Sequence, residues 1–151
     1  NYGTHLLDVR VDTRTGAVDV LRHLACHDVG KVINPLGFEG KIEGGSLFGF
    51  GLAHLEEVLF RDGRIVTANF AAYALPSIRD RLPTEAMAVE DPNPTGPYGA
   101  KGVGEPPVAG AAAAFANAVA DATGIRFRRL PISRQEILLA LKANTGTGGV
   151  A

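Results

Sequence analysis

The chain has one cysteine, Cys26, in 151 residues. An internal disulfide framework is therefore excluded, and one thiol cannot by itself build an iron–sulfur or structural zinc site. Neither charge sign is in excess. With a formal net charge of −1, the chain lacks the basic surface that a phosphate-backbone partner requires. No apolar run approaches the roughly 20 residues that carry a helix across a bilayer. There is no signal peptide and no initiator methionine, and Asn1-Tyr2-Gly3 leads straight into a strand pattern. The expectation is a piece cut from something larger, located in the cytoplasm. Nucleotide fingerprints are missing too. Gly99 to Gly104 contains a lysine without the Gly-Lys-Ser/Thr ending that cradles phosphates. Gly49-Phe50-Gly51 falls late in a helical pattern, not at a strand-to-helix turn. His54, Glu56 and Glu57 lack the paired histidines of a zincin helix and read as a polar helix end. Cys26 and His27 alternate along a strand, so they point to opposite faces, which is poor geometry for joint metal ligation. No internal repeat is present.

What remains is an ordinary soluble composition, 46% hydrophobic and 21% charged, with chain enough for one core. Thr4 to Asp12 alternates, with Leu7, Val9 and Val11 on one face, and Val18 to Asp28 reads as its hairpin partner across Thr13-Arg14-Thr15-Gly16. From about Asn34 to Glu57, apolar residues recur at helical spacing, and Pro35 suits the first turn. Gly40, Gly44, Gly45, Gly49 and Gly51 lie in that stretch, each costing about 1 kcal/mol against alanine in a helix interior. A helix so loaded is expected to be buried, with another backbone or a cofactor close against it; a glycine-rich loop is the alternative. Arg61-Asp62-Gly63 marks a second hairpin. Residues 70–83 look irregular, Glu85 to Val89 is a short strand, and Val108 to Thr123 is an alanine-rich helix stopped by Gly124. Arg126 to Arg129 reads as extended, Arg126, Arg128 and Arg129 marking a strand edge or subunit contact. Ser133 caps a last helix to about Lys142, and a flexible tail is expected over 145–151.

The most informative segment is Gly96-Pro97-Tyr98-Gly99-Ala100-Lys101-Gly102-Val103-Gly104-Glu105-Pro106-Pro107-Val108. It sets one carboxylate at the end of a glycine-rich loop with two prolines behind it. The first proline biases Glu105 towards an extended backbone. A carboxylate held stiffly beside little polar surface is suited to act as a base, with its pKa raised. An ordinary glutamate on a surface loop is the alternative.

The string Gly99 to Pro107 also resembles the loop that holds the catalytic glutamate in the large subunit of molybdenum hydroxylases, the xanthine dehydrogenase and aldehyde oxidase family. Asp28-Val29-Gly30-Lys31-Val32-Ile33-Asn34-Pro35 resembles a second motif of that family. Gly40-Lys41-Ile42-Glu43-Gly44-Gly45, continuing to Gly49-Phe50-Gly51-Leu52 and Glu56-Glu57, resembles a third. Asn117-Ala118, Gly124-Ile125-Arg126 and Leu130-Pro131-Ile132 match its C-terminal helix and tail. The likeness runs in register over about residues 2–142.

The resemblance implies an α+β piece, residues 1–144, forming the C-terminal part of a molybdopterin-binding domain. It implies oxidation of an aldehyde or N-heteroaromatic C–H carbon with water-derived oxygen, with Glu105 as general base. The molybdopterin cofactor would be held by Lys41, Gly44, Gly45, Ala100, Lys101, Gly102, Val103 and Gly104, together with segments from elsewhere. The metal needs no side-chain ligand here, because the pterin dithiolene supplies the sulfurs. Implied partners are the rest of the large subunit, a [2Fe-2S] subunit and an FAD subunit. Lys41 departs from the glutamine usual at its position: it adds a charge and cannot accept a hydrogen bond. A changed substrate anion, a pairing with Glu43 or another carboxylate, and a drifted cofactor site all stay open. Two other readings are a non-catalytic structural or assembly homologue, and a small-ligand binding domain without molybdenum.

Overall fold

The computed structural model describes residues 1–146. β1 (Gly3–Val11) and β2 (Val18–Asp28) form the expected antiparallel hairpin, with a register shift between Asp8 and Val9. β5 (Thr84–Val89) pairs with the other edge of β2 in parallel, giving a three-stranded sheet in the order β1-β2-β5. A parallel neighbour requires a crossover, and α1 (Pro35–His54) lies within it. β3 (Phe60–Arg61) and β4 (Arg64–Ile65) make a separate small hairpin. Its two turn residues, Asp62 at φ 51° and Gly63 at φ 74°, are both left-handed, which is what a tight hairpin turn demands. The alanine-rich α2 (Pro106–Thr123) ends on Gly124 at φ 71°, a left-handed cap. α3 (Arg134–Gly146) follows Ser133, whose hydroxyl accepts from the Glu136 amide at 3.1 Å.

α1 is a continuous helix despite its glycines. Asn34 caps it by accepting from the Gly37 amide at 2.9 Å, and Pro35 occupies the first turn, where its missing donor costs nothing. Helix-on-helix packing offsets the poor propensity. A Cβ on Gly45 would lie 2.9 Å from Pro107 Cβ, and one on Gly49 would lie 2.3 Å from the Val108 carbonyl oxygen. α1 and α2 therefore touch backbone to backbone, and α2 in turn packs on β1. The main core gathers Leu7, Phe50, Ala53, Leu82, Phe115, Val119, Ile132 and Ile137. Phe50 and Phe115 meet edge to face at 5.3 Å. A second cluster, Ala25, Val29, Phe38 and Ile42, joins α1 to the sheet beside the glycine-rich loop.

Four expectations are corrected. Glu105 is not extended: at φ −101° and ψ −24° it is the N-cap of α2, which begins at Pro106 and not at Val108. Two prolines preset for the first helical turn outweigh the bias a proline exerts on the residue before it. Arg126 to Arg129 forms no strand. Arg126 instead donates to Asn117 Oδ1 at 2.6 Å, and Arg129 pairs with Glu57 at 3.1 Å. The last helix runs past Lys142 to Gly146, and the remainder of the expected tail, 147–151, lies outside the described residues.

Candidate functional site

α1 and the N-terminus of α2 enclose a cleft of about 880 Å³, lined by Gly40, Lys41, Gly44, Gly45, Phe48, Gly104, Glu105, Pro106, Val108 and Ala109. Five of the nine residues expected at the site meet here: Glu105, Lys41, Gly44, Gly45 and Gly104. Ala100, Lys101, Val103 and again Lys41 line an adjoining groove of about 240 Å³, walled also by Phe38 and Val32. Lys41 thus borders both.

The glycines of α1 divide by environment. Gly45 and Gly49 are filled from α2, as described, and a Cβ on Gly51 would meet Glu56 and Pro76. At Gly40 and Gly44 a Cβ would meet nothing within 4 Å. The helix therefore presents bare backbone to the cleft on one stripe while packing protein on the next. Gly102 and Gly104, on the loop, are equally open.

The loop is stitched to the end of β2. The Lys101 amide donates to Val29 O at 2.9 Å, and Gly99 O accepts from the amides of Lys31 and Asn93 at 3.1 and 2.9 Å. Gly102 O accepts from the Asn1 side chain. Beyond this anchor the amides of Gly102, Val103 and Gly104 donate to no group among the described residues. Gly102 and Gly104 are exposed and Val103 is half-buried, so these three successive amides face solvent and are open to a ligand.

Glu105 is exposed, and its carboxylate makes no hydrogen bond or ion pair among the described residues; only its backbone carbonyl is engaged, accepting from the Val108 amide at 2.9 Å. The little polar surface expected beside it is present, with Phe48, Pro106 and Val108 on the same cleft, but among the described residues the carboxylate stands open to solvent. Its freedom has a local cause. A helix start ordinarily offers amide donors to a carboxylate at the N-cap, and Pro106 and Pro107 remove two of them. Lys41, also exposed, pairs with no carboxylate among the described residues; Glu43, one partner considered for it, pairs with Arg81 at 3.4 Å.

Lys101 behaves differently. Its ammonium is committed to Asp28 at 2.6 Å and Asp91 at 3.0 Å, with only 17% of the side chain exposed. The Asp28 and Asp91 carboxylates raise the Lys101 pKa, and the Lys101 hydrogen bond, reinforced by the Gly30 amide, lowers that of Asp28. An acid whose pKa is lowered by folding stabilises the fold above the ordinary carboxylate value and loses that contribution as pH falls through the lowered one. Lys101→Met should therefore unfold at higher pH than the wild type in an acid titration followed by circular dichroism. Coincident titrations would show that the pair contributes nothing.

Some residues of interest carry no mark in the sequence. Phe48, 54% exposed, supplies an apolar wall to the cleft; it follows the helical pattern, but nothing in that pattern shows it facing outward. Tyr98 has φ 55° and is 90% exposed beside the loop. The buried Glu56 accepts from the Tyr73 hydroxyl at 2.6 Å, so part of the expected polar helix end is an internal hydrogen bond. His54 likewise turns inward to Ile132 O at 2.7 Å.

Residues 1–82 match the family model of the molybdopterin cofactor-binding domain. The gamma subunit of the 6-hydroxypseudooxynicotine dehydrogenase complex of Paenarthrobacter nicotinovorans is 38% identical over 140 residues, covering 90% of this chain and 18% of that protein. A putative xanthine dehydrogenase molybdenum-binding subunit of Escherichia coli is 36% identical over 138 residues, 90% of this chain and 18% of that protein. This chain belongs to the xanthine dehydrogenase and aldehyde oxidase family of molybdenum hydroxylases. The fold agrees: the crystal structure of aldehyde oxidoreductase from Desulfovibrio gigas superposes with a TM-score of 0.85 at 37% identity, over 93% of this chain and 15% of that one. The α+β architecture is thus that of a molybdenum hydroxylase domain. The chain spans less than a fifth of the relatives it matches. No described helix is long and apolar enough to cross a membrane.

The residues present fit a molybdopterin group. Open space stands over Gly40, Gly44, Gly102 and Gly104 where side chains would otherwise intrude. Gly104, with its unpaired amide, and the free Glu105 carboxylate line the same cleft as Gly40 and Gly44, and Val103 lines the adjoining groove.

Proposed function

We infer that residues 1–144 form the base-bearing wall of a molybdopterin site, in an enzyme that oxidises an aldehyde or N-heteroaromatic C–H carbon with water-derived oxygen. The observation that carries this reading is the unpaired Glu105 carboxylate on the same cleft as the bare Gly40–Gly44 stripe of α1. When bound, the molybdenum cofactor supplies the two-electron oxidation. The chain's own residues do the rest. Gly40 and Gly44 admit the group against the helix backbone, and the Gly102, Val103 and Gly104 amides orient it. A Glu105 carboxylate oxygen takes the proton from the attacking oxygen, free to do so because Pro106 and Pro107 leave it uncapped. Lys41 offers a donor and a positive charge on the facing wall. Lys101 acts one step back: by holding Asp28 and Asp91 it fixes the loop that carries the amides.

Electrons would leave through a [2Fe-2S] partner and an FAD partner, and the remainder of the large subunit would close the cleft. The relatives' description as subunits of larger assemblies supports this. So does the apolar surface the chain leaves open, with Phe70 81% and Ile78 84% exposed. A cytoplasmic location suits a chain whose one cysteine, Cys26, is a free thiol.

The test is metal analysis of the assembled protein purified without denaturation. Stoichiometric molybdenum, with iron in the same assembly, is the expected result. An intact assembly free of molybdenum would overturn the reading in favour of a non-catalytic homologue.

A further inference from the structure

Away from the cleft, three histidines are joined inside the sheet. His23 and His27, 0% and 1% exposed, lie on the inner face of β2, and His5 reaches them from β1. Gly3 pairs with His27, His5 with Ala25 and Leu7 with His23, so His5 stands diagonal to both partners. His5 Nδ1 lies 2.9 Å from His23 Nε2, His5 Nε2 lies 2.9 Å from His27 Nε2, and His23 Nδ1 lies 3.0 Å from Thr84 Oγ1 on β5. The nitrogens pair in sequence and do not converge on one point, which is the geometry of a chain and not of a metal centre.

Each neutral imidazole has one donor and one acceptor, so the chain has a direction. The Thr84 hydroxyl donates to Leu82 O at 3.4 Å and is left to accept from His23 Nδ1–H. His23 Nε2 then accepts from His5 Nδ1–H, and His5 Nε2 accepts from His27 Nε2–H. At the far end His27 Nδ1 is left as a buried lone pair with no partner among the described residues. The opposite order would leave a buried N–H there, and unpaired buried donors are the rarer and costlier defect.

The chain meets α2 at Gly110. A Cβ on Gly110 would fall 2.2 Å from His5 Cδ2, and a Cβ on Gly3 would fall 2.4 Å from His27 Nδ1. The His5 ring is thus the surface on which Gly110 rests, five residues after Glu105. We propose that His5, His23 and His27 are positioning residues: an uncharged imidazole chain that seats α2 on the sheet and so holds Glu105 at the cleft, working only while neutral. This rests on the reading of Glu105 as the base.

The surroundings supply nothing to compensate a charge. α2 carries no charged residue between Pro106 and Ala120. α1 brings Phe38 and Ile42 to the same region of the sheet. Arg22 and Glu85 pair with each other at exposed positions, and Asp28 is held by Lys101. Burial, then the neighbouring histidines, lowers His5 and His23 to about 4, and burial lowers His27. Between about 4 and the ordinary histidine value of 6.5 the unfolded chain holds more protons than the folded one. Stability therefore falls as pH falls through that window, and His27 Nδ1 is the open lone pair that receives the first proton.

Hydrogen exchange of the α2 amides in the assembled enzyme tests this without relying on turnover. Protection over residues 108–112, corrected for intrinsic rates, should fall at least tenfold between pH 7 and pH 4.5, while that of α3 is retained. His27→Gln keeps a group able to bond His5 but does not titrate, and should flatten the dependence. Gly110→Ala at pH 7.5 should lower kcat about 10- to 100-fold at unchanged KM and molybdenum content, as a displacement of roughly 1 Å would. Wild-type α2 protection that does not vary with pH overturns the proposal, as does Gly110→Ala with wild-type kcat. If Glu105 is not the base, Glu105→Gln stays active while the pH dependence of α2 persists, so the two failures are distinguishable.

Discussion

Glu105→Gln in the assembled enzyme should lower kcat by about 10²–10⁴, the range that loss of a general base produces. The substitution keeps the volume and removes only the ability to accept a proton. Nothing in the fold depends on the carboxylate, which caps no amide and joins no ion pair among the described residues. Assembly, molybdenum content and KM should therefore stay at wild-type values. Glu105→Asp should fall between the two, since it keeps the chemistry but withdraws the oxygen by one methylene. Metal analysis beside steady-state kinetics separates the roles. A Glu105→Gln protein with full turnover would remove Glu105 from the chemistry. One that loses molybdenum with its activity would make the residue a support for the cofactor instead.

Much of this arrangement is legible in the sequence because the local signals agree with one another. Alternation marks β1 and β2, Asp62-Gly63 marks the small hairpin, and Asn34-Pro35 and Gly124 bound the two long helices. The start of α2 is not legible in the same way, because two rules bear on Pro106 in opposite senses. The residue before a proline prefers extended backbone, while a proline at the first helical position stabilises the turn that follows. The second prevails because Pro107, behind it, is fully buried against the helix of glycines.

The site is legible in kind but not in wiring. Spacing alone treats Lys101 as a charge on a loop; its pairing with Asp28 and Asp91 comes from where the loop docks on β2. The histidine chain does have a sequence signal. His23 and His27 are four residues apart on one strand face, and alternation set against Leu7 puts His5 on the facing inner side. Recognising the chain requires the β1–β2 register, which a hairpin loop of uncertain length does not fix.

The other large effect distinguishes the glycines of α1 from one another. Gly44 and Gly49 are five residues apart on one helix, and leucine at either gains about 1 kcal/mol of helix propensity. Their surroundings decide opposite outcomes. A Cβ at Gly49 would lie 2.3 Å from the Val108 carbonyl oxygen and 2.9 Å from Ala111 Cβ, and backbone cannot swing aside as a side chain does. Gly49→Leu should force α1 from α2 and cost about 3 kcal/mol or more, at the upper end of overpacking penalties. It should appear as a protein that fails to assemble or melts well below the wild type. At Gly44 nothing lies within 4 Å, so Gly44→Leu should fold and assemble, with a melting temperature of the cofactor-free form no lower than wild type. Its side chain enters the cleft where the pterin group is proposed to lie, so the purified protein should carry little molybdenum and little activity. Full molybdenum in Gly44→Leu would mean that the cleft is not the cofactor's. The bare stripe of α1 would then need another occupant, because a helix does not carry glycines at 40 and 44 for its own stability.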